Sequence, residues 1–241
     1  MANKRKVINT ILTTLIVVLL IAAVILLLID PIKNYRRKKI VDNTVEEIKE
    51  QIIVPDVTEI TFVVGKDDVQ IEGEDVEFFG TPEEQEQQRK EFEEAYANLP
   101  DYVTLNCIGL IEIESIGQCD PIWDNDTIVD LRYGIGHHQS SCMPGEEGNF
   151  TLLGHHMRVE GVFFNKLIDV KIGDLVKITT IDGKEYIYQV DDRQIVDPIY
   201  LEDYVDADDG YGKQITLISC TYTDAGTMRI IVIGHLIEGE D

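Results

Sequence analysis

The feature that most constrains the fold is a series of short β-prone runs that begins near residue 103 of the 241-residue sequence. Branched and aromatic residues dominate these runs, and clusters of Asp, Asn, Gly and Pro separate them, as in strands joined by turns. Asp182-Gly183 lies between two alternating runs and predicts a tight hairpin. The runs cover residues 108–116, 128–131, 150–153, 175–180, 186–195, 215–219 and 229–237. Six to eight short strands in one stretch predict a mainly β fold, a closed mixed β-barrel with short helices.

Two of these runs end on reactive side chains. Residues 151–155, Thr-Leu-Leu-Gly-His, finish at His155, and residues 216–220, Thr-Leu-Ile-Ser-Cys, finish at Cys220. Arg229 begins the apolar run that follows. A thiol is a nucleophile, an imidazole carries protons, and a guanidinium stabilises developing negative charge. Together these residue types indicate nucleophilic catalysis at the edge of a sheet.

The order His, Cys, Arg, in T-L-x-G-H and T-L-x-[ST]-C contexts, resembles the sortases, the membrane-anchored cysteine transpeptidases of Gram-positive bacteria. No Asp-Pro-aromatic lid motif precedes residue 103, so the chain is more similar to class A and class D-like members than to pilin-type ones. The resemblance covers roughly residues 103–240 and implies a sortase-type β-barrel. Further similar segments lie at 109–113, 131–137, 144–149, 161–164 and 172–174.

The resemblance implies a role for each reactive residue. Cys220 matches the nucleophile that attacks an LPxTG-like sorting signal and forms a thioester. His155 matches the general acid and base, and Arg229 matches the residue that steadies the oxyanion or orients the signal. Ser219 stands where Thr is commoner, and its hydroxyl is expected to support the oxyanion, with His137 as a neighbour of the site. The acceptor would be an amine of the cell wall or of a peptidoglycan precursor, and no cofactor is required.

An apolar run near the N-terminus predicts a membrane anchor. Residues 11–29 carry no charge, and Thr13 and Thr14 are their only polar side chains. A helix of this length, at about 1.5 Å per residue, covers the roughly 30 Å hydrocarbon core of a bilayer. Basic residues flank the run on both sides, so charge leaves the orientation open, whereas the resemblance implies a single-pass cell-membrane protein with an extracellular catalytic domain. The predicted organisation is a cytoplasmic N-terminus at 1–6, a transmembrane anchor at 7–29, a juxtamembrane stalk with short strands and a helix at 30–102, and the catalytic barrel at 103–241.

The predicted stalk has its own patterns. Apolar residues recur at helical spacing over 45–53, and strand-like runs cover 58–64 and 69–79. Thr81-Pro82 has the N-cap and first-turn chemistry of a helix that ends near Asn98.

The charge of the chain excludes one class of partner. There are 45 Asp and Glu residues against 21 Lys and Arg, which gives a formal net charge of -24. Such a surface repels phosphate backbones, so nucleic-acid binding is not expected.

Other functions use some of the same residues. A pilin polymerase or a hydrolytic cysteine protease would share the nucleophile and differ only in the group that takes the acyl chain. A zinc site is the alternative from another class, because imidazole and thiol are zinc ligands. Its candidate ligands are His137, His138, Cys142, His155 and His156.

Two further features remain open in the sequence. Cys107 and Cys119 could form a disulfide with Cys142 left over, or all three could stay as thiols, and the sequence does not choose between these states. Acidic residues are dense between residues 191 and 209, and oxygen ligands of this kind suit calcium. The candidates for a weak calcium site are Asp191, Asp192 and Asp197.

Overall fold

The computed structural model describes residues 2–53, 59–65, 82–156, 163–205, 210, 212–223 and 226–239. The chain divides into two compact units, Met1–Ile40 and Val41–Asp241. The described part of the first unit is helical and belongs to helix α1 (Ala2–Ile52). Among the described residues, no helix combines the length and the apolarity that a membrane-spanning segment needs. The anchor at 7–29 stays a prediction.

The second unit contains nine described strands and several short helices. The strands are β1 (Ile60–Gly65), β2 (Tyr102–Ile113), β3 (Gln118–Trp123), β4 (Ile135–His137), β5 (Gly148–Gly154), β6 (Leu175–Thr180), β7 (Glu185–Val196), β8 (Lys213–Thr223) and β9 (Gly226–Gly239). The helices are the last turns of α1, then α2 (Pro82–Ala97), α3 (Asp130–Tyr133) and α4 (Glu202–Val205), with 3-10 turns at Glu114–Ile116, Phe163–Asp169 and Pro198–Tyr200.

Eight of these strands close into a barrel. The sheet order is β1-β2-β3-β4-β5-β8-β9-β7-β6, and β6 also pairs with β2, which closes the ring from β2 to β9. The pairs β3–β4 and β5–β8 are parallel, and the other pairs are antiparallel. The predicted mixed β-barrel is therefore confirmed.

The barrel interior holds the hydrophobic core. Alternate residues of each strand point inward, because successive side chains of a strand project to opposite faces. Phe150, Leu152, Leu217 and Ile230 are almost completely buried in this core. The 3-10 turn Phe163–Asp169 adds buried aromatic and aliphatic side chains to the same core.

The predicted stalk belongs to the second compact unit from Val41 onward. Val41, Val45 and Ile48 on the last turns of α1 are buried in the core, as is Ile60 of β1. β1 pairs with the first half of β2 in an antiparallel ladder. The short strands and helix that the sequence predicts for 30–102 are found at β1 and α2, whereas the run at 69–79 and the N-cap at Thr81 lie outside the described residues.

The strand prediction at 128–131 is wrong, because Ile128 and Val129 lie in a turn and Asp130 begins helix α3. Thr127 and Asp130 explain the turn. The Asp130 carboxylate accepts from the Thr127 backbone N–H at 3.2 Å, and the Asp130 N–H donates to the Thr127 hydroxyl at 3.5 Å. These reciprocal bonds satisfy N–H groups at the start of a helix, as a capping box does.

Candidate active site

Cys220 and Arg229 are direct partners in the antiparallel ladder between β8 and β9. Directly opposite residues project to the same face, with Cβ atoms about 4.5–5.5 Å apart. The register therefore places the thiol and the guanidinium side by side. Both residues lie inside their strands and not at the strand ends, since β8 continues to Thr223 and β9 begins at Gly226.

His155 reaches the same place from the other side of β8. β5 runs parallel to β8, with Gly154 beside Ser219, and His155 is the first residue after β5. One further step of the register brings His155 next to Cys220. The three reactive residues predicted from the sequence thus occupy neighbouring positions across β5, β8 and β9.

The barrel presents these residues on its outer face. Ser219 pairs with Gly154 and Ile230, and Ile230 belongs to the interior core. Because side chains alternate along a strand, Cys220 and Arg229 point the opposite way, out of the barrel. A peptide can therefore approach Cys220 from solvent without entering the core.

Arg229 is held rigidly although it faces outward. The residue is only 7% exposed, and its Nη1 donates to the backbone carbonyl of Met228 at 3.2 Å. Val196 of β7 is its partner on the other side of β9. A guanidinium keeps its charge under all ordinary conditions and offers donors in a planar fork. Arg229 can therefore donate to an oxyanion formed beside Cys220.

Packing explains why a glycine, Gly154, precedes His155. A Cβ at this position would lie 2.6 Å from Cδ2 of Phe164 and 2.7 Å from Cδ1 of Ile135, distances that real Cβ atoms do not adopt. The bare backbone lets Phe164 lie against β5 at the point where the strand delivers His155. The glycine of the T-L-x-G-H motif therefore fixes the position of the imidazole.

Ser219 does not share the face of Cys220. It is 2% exposed and lies on the interior side of β8, where its Oγ has no hydrogen-bond partner among the described residues. Adjacent positions of a strand point in opposite directions, so the Ser219 hydroxyl cannot flank the thiol as the sequence suggested. This place in the core does not support a role of the hydroxyl at the oxyanion.

His137 also lies inside the barrel. It is 4% exposed, packs 5.3 Å from the ring of Phe150, and pairs with Leu152 in the β4–β5 ladder. Its Nε2 lies 3.1 Å from the carbonyl oxygen of Cys142, so Nε2 is the donor in this bond. Burial lowers the pKa of His137 and keeps the ring neutral. His137 is separated from the catalytic face, and substrate contact by its ring is not supported.

Another candidate zinc ligand, His138, has a carboxylate partner. Its Nδ1 lies 2.7 Å from the Asp126 carboxylate. Within the part of the chain that the structure describes, no three His, Cys, Asp or Glu residues are grouped to hold a metal ion. The geometry gives the zinc alternative no support.

The other three cysteines are separate from the catalytic face. All four cysteines are unbridged in this structure. The Cys107 thiol is buried against the Gly109 carbonyl at 3.4 Å, and burial raises its pKa to about 12, so it stays protonated. Cys119 contacts Lys49, and burial also raises the pKa of its thiol. Cys220 is the cysteine that the register sets beside an imidazole and a guanidinium.

The three carboxylates considered for calcium each have a local partner. Asp191 pairs with His235, and Asp192 accepts from the Arg193 N–H at 2.7 Å and the Gln194 amide at 2.6 Å. Asp197 accepts from the Ile199 N–H at 3.0 Å and starts the 3-10 turn that follows. The three carboxylates therefore have different partners, and calcium binding stays a prediction.

A mixed eight-stranded barrel, with Cys220 and Arg229 paired on β8 and β9 and His155 directly after the adjacent β5, defines the class of protein. The chain belongs to the sortase family of cysteine transpeptidases, since the sortase domain matches residues 111–237, more than half of the sequence. The predicted resemblance is confirmed.

Individual relatives agree with this assignment. Sortase A of Bacillus anthracis is 33% identical over 132 residues, which cover 54% of this chain and 60% of that protein. Sortase A of Listeria monocytogenes is 28% identical over 133 residues, covering 55% and 58%. Among solved structures, a sortase D5 transpeptidase of Clostridium perfringens has a TM-score of 0.53 and 25% identity, covering 83% of this chain and 99% of that one. The chain spans less than two thirds of the length of these two curated relatives.

Proposed function

We propose that this protein is a transpeptidase that cleaves an LPxTG-like sorting signal through a thioester on Cys220 and transfers the surface protein to an amine acceptor of the cell wall. The observation that supports the proposal is the register of β5, β8 and β9: Cys220 pairs directly with Arg229, and Gly154, the residue before His155, pairs with Ser219, the residue before Cys220. Nucleophile, proton carrier and oxyanion donor then flank a single scissile carbonyl.

In the first half-reaction the Cys220 thiolate attacks the carbonyl carbon between the fourth and fifth residues of the signal. The carbonyl oxygen becomes negative in the tetrahedral intermediate and accepts hydrogen bonds from the Arg229 guanidinium. The C–N bond then breaks, and His155 gives a proton to the leaving amine. The N-terminal part of the substrate stays on Cys220 as a thioester.

In the second half-reaction an amine attacks the thioester carbonyl. His155, now neutral, takes the proton of the incoming amine, and the C–S bond breaks as the new amide forms. Cys220 leaves as a thiolate and is ready for another substrate. Thiol, imidazole and guanidinium supply every group these steps need, so the proposal includes no cofactor.

The surroundings of the site suit this reaction. The net charge of -24 attracts cationic groups over long range, which favours a protonated amine acceptor over an anionic one. The apolar run at 11–29 supports an anchor that would hold the enzyme at the membrane, where sorting signals are exported. The absence of an Asp-Pro-aromatic motif before residue 103 favours wall anchoring over pilus polymerisation.

The test is to incubate the purified full-length protein in detergent with a library of LPxTG-like peptides and several amines, and to detect products by mass spectrometry. We expect cleavage between the fourth and fifth peptide residues, a peptide–amine product, and a covalent adduct on Cys220. Cys220→Ala should give neither adduct nor product while its thermal melt stays close to that of the wild type. If only the free carboxylic acid formed, and no peptide–amine product appeared at any amine concentration, the enzyme would be a hydrolase.

A further inference from the structure

Four buried polar side chains form a connected network on the outer face of the barrel, on the same strands as the catalytic residues. Asn149 and Thr151 belong to β5, and Gln214 and Thr216 belong to β8; we name these four residues the polar ladder. In the β5–β8 register Asn149 lies beside Gln214 and Thr151 beside Thr216. All four are 5% exposed or less.

The hydrogen bonds of the polar ladder run in one direction. The Gln214 amide donates to Asn149 Oδ1 at 3.1 Å and to Thr216 Oγ1 at 3.0 Å, and the Thr216 hydroxyl donates to Asn149 Oδ1 at 2.8 Å. The Asn149 amide donates to Thr151 Oγ1 at 2.9 Å. Each acceptor is therefore also a donor to the next group, an arrangement in which hydrogen bonds polarise and strengthen one another.

The last donors of the polar ladder bind the backbone of a separate segment. The Thr151 hydroxyl donates to the Val205 carbonyl at 2.7 Å, and the Asn149 amide lies 3.3 Å from the Tyr204 carbonyl. These carbonyls end α4, where a helix has acceptors without partners in its own turns. The polar ladder thus holds the C-terminal end of α4.

We name residues 197–205 the cover segment. It begins immediately after Val196, which is the partner of Arg229 in the β7–β9 ladder. Its other end is fixed by the polar ladder, and Tyr204 also donates from its hydroxyl to Gln194 of β7 at 2.8 Å. The cover segment therefore passes from the level of the catalytic residues to the level of Thr151 along the outer face.

The outer face between these two levels is apolar. Ile218 and Ile231 are register partners one layer from Cys220 and Arg229, and both are buried although they lie outside the barrel. The cover segment in turn exposes apolar side chains, with Ile199 71% and Tyr200 54% exposed. These two exposed side chains of the cover segment would offer an extended peptide at Cys220 an apolar surface on one side.

We propose that the polar ladder positions the cover segment as one wall of the groove that binds the sorting signal, so that Thr151, Thr216, Asn149 and Gln214 are positioning residues for substrate binding. The inference depends on the proposed function, since it concerns how the peptide is held beside Cys220. It gives a role to the threonines of the T-L-x-G-H and T-L-x-[ST]-C motifs, which take no part in the chemistry. If Thr151 and Thr216 served only for packing, Val, which has the same shape without the hydroxyl, would suffice at both positions.

The experiment compares Thr151→Val with Thr151→Ser in the full-length protein, with a quenched LPxTG peptide and hydroxylamine as the amine. Valine keeps the shape and removes the bond to Val205, whereas serine keeps the hydroxyl. Because loss of one buried hydrogen bond is worth about tenfold in an equilibrium, we expect Thr151→Val to raise KM about tenfold with kcat within about twofold of wild type. Thr151→Ser should stay close to wild type.

Hydrogen exchange provides a readout that does not depend on activity. The backbone N–H groups of Tyr204 and Val205 donate to the Leu201 carbonyl, so they should exchange faster in Thr151→Val when the end of α4 is released. Thr180→Val is the matched control, because it removes a hydroxyl that donates to the Asp182 carboxylate and lies 3.2 Å from the Lys184 carbonyl, in the hairpin at the opposite end of β7. It should change neither KM nor exchange in the cover segment.

A second variant covers the case in which Thr151→Val does not fold. Tyr204→Phe removes the tether to Gln194 and leaves the buried polar ladder complete, and we expect it also to raise KM. A fall in kcat at constant KM, or unchanged exchange at Tyr204 and Val205, would overturn the inference. If the wild-type protein cleaves no LPxTG peptide, the proposed function fails, while faster exchange in the Thr151→Val variant would still show that the polar ladder holds the cover segment.

Discussion

Thr151 and Thr216 lie side by side in the parallel β5–β8 ladder, and each precedes a reactive residue, His155 and Cys220, by the same number of positions. Two motifs separated by more than sixty residues are thus two adjacent strands of one sheet. Equal spacing from a shared register point brings the imidazole and the thiol to the same level. The relative positions of Cys220 and Arg229 follow from strand pairing.

His155 provides the first mutational test. His155→Ala should lower kcat/KM by about 10²–10⁴, the usual range for a lost general acid or base. His138→Ala should keep most activity, because its ring pairs with Asp126 and does not belong to the catalytic register. Peptide cleavage by both variants measures this, and equal losses would contradict the assignment.

His137 predicts how stability depends on pH. Burial lowers its pKa, so the unfolded chain takes up a proton near pH 6.5 while the folded protein remains neutral. Between these two pKa values the unfolded state binds more protons, and the free energy of unfolding therefore decreases as the pH falls below about 6.5. Below the folded pKa this loss is complete.

The measurement is urea unfolding of wild type and His137→Gln at several pH values from 7.5 to 5. Glutamine can still donate to the Cys142 carbonyl but has no proton to gain, so its midpoint should fall less on acidification. If the urea midpoints of the two proteins fell equally on acidification, His137 would not be the source of the pH dependence. Activity of the variant at pH 7.5 should stay near wild type, because the ring faces the core.

Gly154→Ala tests whether packing sets the position of His155. The added methyl group would overlap Phe164 and Ile135 and should destabilise the protein by about 1–3 kcal/mol, as overpacking usually does. It should also lower kcat beyond the loss in folded protein, since the end of β5 must shift. Gly173→Ala is the control for adding a methyl group to a glycine, because a Cβ there would meet no atom within 4 Å, although its φ of 94° brings a backbone cost of its own.

The sequence predicts which residue types form this site better than it predicts which way their side chains point. The sequence points to His155, Cys220 and Arg229 because each stands at the end or the beginning of an apolar run. Ser219 was assigned to the site because it adjoins Cys220 in the chain, but strand alternation sends its side chain into the core. His137 also lies inside the barrel, which the sequence does not show because the face of a three-residue strand cannot be read from so few residues.

The strands that the sequence missed are the least regular ones. β3 contains Pro121, which removes a ladder donor and usually argues against an inner strand. The structure accepts it because β4 pairs only with Ile122 and Trp123, so the chain has no β4 neighbour at Pro121. The sequence does not predict the polar ladder either, because only the long-range pairing of β5 with β8 brings Asn149 and Gln214 together.

Arg229 gives the test that separates a directed donor from a simple charge. Its guanidinium is held by the Met228 carbonyl and by the register with Cys220, so its remaining N–H groups have a defined direction. Loss of one oxyanion donor typically costs about 10²–10³ in rate. Arg229→Ala should therefore lower kcat/KM by at least that factor.

Arg229→Lys keeps the charge and changes the donor geometry. An ammonium is a point charge on a different stem and cannot reproduce the planar fork, so this variant should also lose most activity. The measurement is kcat/KM on a cleavable peptide, with thermal melts to show that both variants are folded. Near-wild-type rates for Arg229→Lys would mean that positive charge alone suffices beside Cys220. Near-wild-type rates for Arg229→Ala would remove the guanidinium from the reaction and leave oxyanion binding to backbone N–H groups.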